Sequence, residues 1–254
     1  MQPLTKEQQL HNDLTSLLSS GEVINEIKMA QYLREIDRNT SGANKLYLKA
    51  LSYAAARKKE KAKEYFEQSL PGGEAIFYAN YLAFIDDFGS FPEWKRLAEM
   101  ASDTFPSVKS FARSGFEGCL FCCDLSGANY FLSRYTKLCG QDDEDMMSMV
   151  SNYQEREGYI ESFLDKAQFN DSTRGILVGA INDVLSSKNL NIKSVRFFTG
   201  SAHDPHLNLY ELTLDTEDVD LLTDANMDLS YKLAEHDELL GKNFSVWLSG
   251  REVE

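Results

Sequence analysis

Apolar residues recur every three or four positions through the first three-quarters of this chain and every second position near its end. The first spacing places side chains on one face of a helix, and the second on one face of a strand. Residues 4–20 carry Leu4, Leu10, Leu14, Leu17 and Leu18 and stop at Ser19-Ser20-Gly21, where a Gly just past the last periodic residue ends a helix. A second helix is predicted from Val23, Ile24, Ile27, Ala30, Leu33 and Ile36 as one broad face, ending at residues 37–42. Residues 46–70 read as two short helices around the charged turn Arg57-Lys58-Lys59. The first presents Leu46, Ala50 and Tyr53, the second Ala62, Phe66, Ser69 and Leu70, and Pro71-Gly72-Gly73 stops the pair.

Further pairs follow. Phe77, Tyr78, Tyr81, Leu82 and Ile85 share one face; Trp94, Leu97, Ala98 and Ala101 share the next, closed by Pro106. Phe111, Gly115, Cys119 and Cys122 lie along one helix, and Ala128, Leu132, Tyr135 and Leu138 along its partner. Beyond Gly140 the pattern predicts a longer helix over residues 146–167 and another from Asp171 or Ser172, either of which could cap it, to about residue 187. Alternation then predicts strands around Ile192, Val195 and Phe197 and over residues 207–214, linked by a Gly-, Asp- and Pro-containing turn. A helix over residues 216–240, with Val219, Leu222, Asn226, Leu229, Leu233 and Leu240 inside, precedes a last strand at Phe244, Val246 and Leu248.

Small residues at Ala50 and Ala62 let two antiparallel helices approach closely, while Tyr53 and Phe66 fill the space beyond. This arrangement resembles the tetratricopeptide repeat, with Leu46 and Ala50 where that family has its leading Trp and usual Gly. Steps of 32 to 34 positions from Phe66 reach Ala98 and then Leu132, so the resemblance covers about residues 43–139, with residues 4–36 as a degenerate first pair. It implies stacked helix pairs, since one pair cannot bury its apolar face alone. The expected fold class is therefore α+β, mainly α. A helical-hairpin solenoid over residues 1–140 leads through a helical connector, 141–188, into an acidic αββαβ domain, 189–254.

Charge adds a direction. The formal net charge is −14, yet residues 1–140 hold 17 acids and 17 Lys or Arg. Residues 141–190 hold 10 acids against 4 bases and residues 191–254 hold 13 against 5, so the whole excess follows residue 140. Such a surface repels phosphate backbones, which speaks against direct nucleic-acid binding, and favours a basic partner. It also serves ordinary solubility. No apolar run nears the roughly 20 residues that cross a bilayer, and the first 14 residues lack a secretory signal, so a cytoplasmic protein away from membranes is expected.

Two constellations could carry chemistry. Cys119, Cys122 and Cys123 fall at helical spacing, so that one helix face presents two or three thiols, and Cys139 could approach from the neighbouring helix; four thiolates suit zinc. Without a second C-x-x-C pair, buried reduced thiols at helix contacts are the plainer reading, and no metal or cofactor is expected. His203, Asp204 and His206 share one loop, where a solvated turn is the default. The basic run over residues 57–63 has its own glutamates as i,i+4 partners.

No phosphate loop or catalytic motif is present. The expected function is a non-enzymatic protein-binding module, with an acidic partner that neutralises a basic protein as its sharper form. An enzyme with a site between the helical and α/β parts, and a structural scaffold or homodimer, are the alternatives. Asn44, Tyr47, Lys49, Tyr78, Asn80, Tyr81 and Arg113 are the candidates for a concave binding face. Asp215, Glu217, Asp218, Asp220, Asp224 and Asp228 are the candidate acidic surface.

Overall fold

The computed structural model describes residues 4–140, 142–200 and 206–251. Within them the chain is α+β and mainly α: ten helices, a two-stranded segment, an eleventh helix and a third strand. Contact density divides it into two compact units, residues 1–84 and 85–254.

The first unit holds α1 (Lys6–Ser19), α2 (Glu26–Asn39), α3 (Gly42–Ala55), α4 (Lys59–Ser69) and most of α5 (Ala75–Phe88). Local chemistry sets the helix starts. Thr5 and Gln8 form a reciprocal capping box at α1, and Asn25 accepts from the Lys28 N–H at α2. Helix α3 packs against α1, α2 and α4. Ala50 and Ala62 are fully buried, which allows that close approach, and Phe66 is buried beside them. Phe66 stacks on Tyr81 at 4.8 Å, and Tyr47 stacks on Phe77 at 4.1 Å. Tyr53 instead lies partly buried against Tyr65 at 5.2 Å, so it does not share the core with Phe66. Val23 and Ile27 are exposed, contrary to the broad face expected of α2. The helix begins only at Glu26, which leaves Val23 in the preceding loop and Ile27 in an uncovered first turn.

The second unit holds α6 (Phe91–Thr104), α7 (Lys109–Phe121), α8 (Leu125–Leu138), α9 (Glu144–Ala167), α10 (Asp171–Lys188), β1 (Ile192–Thr199), β2 (Asn208–Leu214), α11 (Val219–Ala234) and β3 (Ser245–Ser249). A capping box of Ser90 and Glu93, with Pro92 in the first turn, starts α6. Helix α7 packs on both α6 and α8. Asn170 caps α10, rather than Asp171 or Ser172: its carboxamide accepts from the Thr173 N–H, and the Thr173 hydroxyl accepts from the Asn170 N–H, both at 2.9 Å.

The sheet has the order β1-β2-β3, with β1 antiparallel and β3 parallel to the central strand. A bulge between Ile192 and Ser194 explains why the apolar residues Ile192 and Val195 are three positions apart rather than two or four. Val195, Tyr210, Leu212, Leu214 and Leu248 are buried in one core with Phe116, Tyr153, Ile160, Phe163, Leu177 and Leu229. That core takes in residues on both sides of residue 140. The Tyr210 hydroxyl donates to the Phe121 carbonyl at 3.0 Å, and the Asn208 side chain donates to the carbonyls of Phe163 and Asn243.

Helix α11 is shorter than its pattern predicts. It stops at Ala234, a short turn covers Asp237–Leu239, and Gly241 takes a positive φ of 73°. The break shifts the phase, so that Leu239 is buried and Leu240 exposed. Val219, the first residue of the helix, is exposed as well. Asn226 accepts from the Leu248 N–H at 2.9 Å and donates to the Leu248 carbonyl at 2.8 Å, fastening α11 to β3.

Two substitutions probe this packing. A Cβ on Gly118 would lie 3.0 Å from the Lys95 Cα, so Gly118→Ala forces α6 and α7 apart and should cost about 1–3 kcal/mol. Asn226→Ala strips Leu248 of both hydrogen bonds that this side chain makes and should cost about 1–3 kcal/mol. Both losses should appear as lower urea midpoints with unchanged slope.

Candidate functional site

The second unit contains a cleft of about 1050 Å³. Its lining follows from three elements. Helix α7 contributes Arg113, Phe116, Glu117 and Leu120, which share one face by i, i+3, i+4 and i+7 spacing. Helix α9 contributes a stripe running from Asp145 through Met149, Tyr153 and Arg156 to Tyr159 and Ile160. The third wall is Val195, Arg196, Phe197, Phe198 and Thr199 of β1. Five successive residues of a strand alternate between two faces, so they can share one cleft only if the strand turns its edge into it.

The floor is apolar and aromatic. Phe116 meets Tyr153 edge-on at 5.2 Å, and Phe197 stacks on Tyr210 at 4.6 Å. The rim is polar. Arg113 pairs with Glu117 at 2.9 Å, and Arg196 pairs with Glu211 at 3.0 Å. Burial and the neighbouring Glu157 push the Tyr153 phenol up. Tyr159 is half exposed, and Arg156 has no ion-pair partner among the described residues.

The four cysteines take a different form from the one their spacing predicts. Helix α7 ends at Phe121; Cys122 closes it and Cys123 has a φ of +53°, so only Cys119 lies on the helix. Cys119, Cys122 and Cys123 are buried, and Cys139 is partly exposed. Burial pushes the Cys119 thiol up to about 12 and the Cys122 thiol up to about 11, and raises Cys123 further. Among the described residues no three His, Cys, Asp or Glu side chains gather as a metal would need. Beside the thiols, Asp124 caps α8, accepts from Lys95 at 2.6 Å and lies 3.7 Å from Arg174. Burial opposes its charge, but Lys95, the Gly127 N–H and Arg174 outweigh that and hold its carboxyl below the usual range.

The other candidates are scattered. Tyr47, Tyr78 and Tyr81 are buried and belong to the packing of the first unit, not to an open face. The Tyr47 hydroxyl lies 3.1 Å from His11 Nδ1 and accepts from Asn80 at 2.7 Å. Asn44 donates to Glu7, and Lys49 pairs with Asp37 at 2.9 Å. Arg113 alone of that group lines the cleft. Of the acids, Asp215 pairs with Lys193 and Arg251, and Asp228 pairs with Lys188. Asp218 caps α11. Glu217, Asp220 and Asp224 are exposed, with no cation in ion-pair range among the described residues. His206 is exposed, while His203 and Asp204 lie outside the described residues.

Sequence reasoning did not find Arg156, Tyr159 or the β1 edge. The polar members of the α9 stripe recur at helical spacing, which was a usable signal; the edge depends on strand order. No family model matches this chain, and no curated protein or solved structure does.

Two thiol measurements follow. At about pH 8 a thiol reagent should modify Cys139 rapidly and the other three only on unfolding. Because burial raises the Cys119 and Cys122 values from an ordinary 9.0, the folded chain holds those protons longer than the unfolded chain. Their contribution is therefore complete below pH 9 and is lost as pH rises through about 11 to 12. Cys122→Ala should show less alkaline destabilisation than the parent in urea titrations.

Proposed function

We propose that this chain is a non-enzymatic protein-binding module that holds a segment of a basic partner protein in the cleft of α7, α9 and β1. The cleft carries this reading. An aromatic floor, a paired-charge rim and a strand edge make a surface suited to a polypeptide. The surplus acids supply the preference for a basic partner, since Glu217, Asp220 and Asp224 present uncompensated carboxylates to solvent. In its sharper form, the chain neutralises a basic protein by covering its cationic surface.

The helical part fits a tetratricopeptide-like scaffold. The hairpin α3–α4 has Ala50 and Ala62 at its contact, and in α7–α8 the bare Gly115 admits the Phe131 ring. Helices α4, α6 and α8 begin at Lys59, Phe91 and Leu125, 32 and then 34 residues apart.

Salt tests the charge argument. Immobilised full chain should retain a basic protein at about 0.1 M ionic strength and release it near 1 M, as the screening length falls from about 10 Å to about 3 Å. The triple variant Glu217→Gln/Asp220→Asn/Asp224→Asn should retain several-fold less. Retention indifferent to both changes would remove the basic partner from this reading.

A further inference from the structure

We propose that the open edge of β1 accepts an extended segment of the partner as a fourth strand, with apolar residues at alternate positions of that segment. This rests on the reading of the chain as a protein-binding module and specifies how the cleft is filled.

The hydrogen-bond phase of the sheet identifies the groups involved. Gly200 donates to the Leu207 carbonyl at 2.7 Å, directly across the hairpin. Antiparallel pairs alternate between bonded and non-bonded. With the observed register, Phe198 and Arg196 therefore exchange bonds with Leu209 and Glu211. Val195, Phe197 and Thr199 then point their N–H and C=O groups away from β2. These three belong to the stretch that lines the cleft, and among the described residues no hydrogen bond from elsewhere reaches them. The opposite edge of the sheet differs. There Asn226 supplies one acceptor and one donor to Leu248, as a neighbouring strand would. On β3 a side chain occupies the edge at Leu248, whereas no described residue occupies the edge of β1 at Val195, Phe197 or Thr199.

Charge and shape select the occupant. The cleft holds Arg113, Arg156 and Arg196 against Glu117, Asp145 and Glu155, three of each sign. That balance gives no net attraction for a phosphate-rich ligand. An extended backbone, in contrast, reproduces the alternating donors and acceptors that the edge leaves unmet. Residues 195–199 offer about 16 Å of edge at roughly 3.3 Å per residue, enough for a five-residue segment. On an added strand, every second side chain turns toward the floor of Phe116, Leu120, Met149, Tyr153 and Ile160. The intervening ones turn toward Arg196 and Phe198, on the solvent face. An alternating sequence satisfies both sides.

Random peptides displayed on phage, selected against the full chain and then synthesised, provide the probe. Binding should weaken at least about tenfold with Tyr159→Ala, which alters a half-exposed side chain and leaves the core intact. N-methylation at alternate peptide residues should weaken binding at least about tenfold, and at the intervening residues less than about threefold. Amide exchange at Val195, Phe197 and Thr199 should slow in the complex. If the methylation-sensitive residues are also the apolar ones, the added strand is antiparallel; if the two sets are offset, it is parallel; either supports the proposal. A peptide that depends on Tyr159 but tolerates methylation throughout would refute strand addition and leave the cleft as a protein-binding site. Failure to select any Tyr159-dependent peptide would overturn the cleft reading too. A free chain that sediments as a dimer with these amides already protected would assign the edge to a second copy and refute the proposal.

Discussion

A buried hydroxyl must find an acceptor, and the last carbonyls of a helix must find donors. In the second unit these two needs meet: Tyr210, central in the sheet, donates to Phe121, the last residue of α7. Tyr210 is fully buried, and its partner Phe121 partly so. The bond fixes the depth at which the strand sits beneath the helix. Phe197 stacks on the same ring at 4.6 Å, so the position of β1 follows from that of β2. The cleft is thus bounded by elements that a single buried tyrosine keeps in register.

Helix α9 meets that frame with one face that is buried at its centre and exposed at its margin. Tyr153, Ile160 and Phe163 are buried and bring the helix onto the sheet. Asp145, Arg156 and Tyr159 rise at the margin of the same face and remain in contact with solvent. The lining of the cleft is therefore the border of the surface that packs. Positioning such side chains costs little extra order, because the packed half of the helix already holds their backbone.

Much of the helical frame was legible because its spacing is strict and its stops are strong, as Pro106 after α6 and the glycine after residue 20 show. The pattern misled where an element ended early: Leu240 continued the period on paper, but the break after Ala234 brought Leu239 inward instead. The tyrosines of α3 and α5 were read as a groove because an aromatic with a polar end suits either place; Tyr47 and Tyr81 have partners inside the unit. The cysteines are free and three are buried, as packing thiols would be, but they were read onto one helix because nothing local announces a left-handed residue at Cys123. The candidate site was least legible. Its long wall is an edge, and which strand is an edge depends on the order β1-β2-β3, a property of pairing and not of spacing.

The contact between Asn226 and Leu248 also bears on how the sheet can be extended. A sheet with two free edges can be extended from both sides, and copies of it can join into chains without limit. Here one carboxamide occupies the place of a neighbour on the β3 side. A strand arriving on that side would first have to displace the carboxamide from Leu248. The side chain of one residue thus raises the cost of extending the sheet at β3, where a bare edge would offer its donors and acceptors freely.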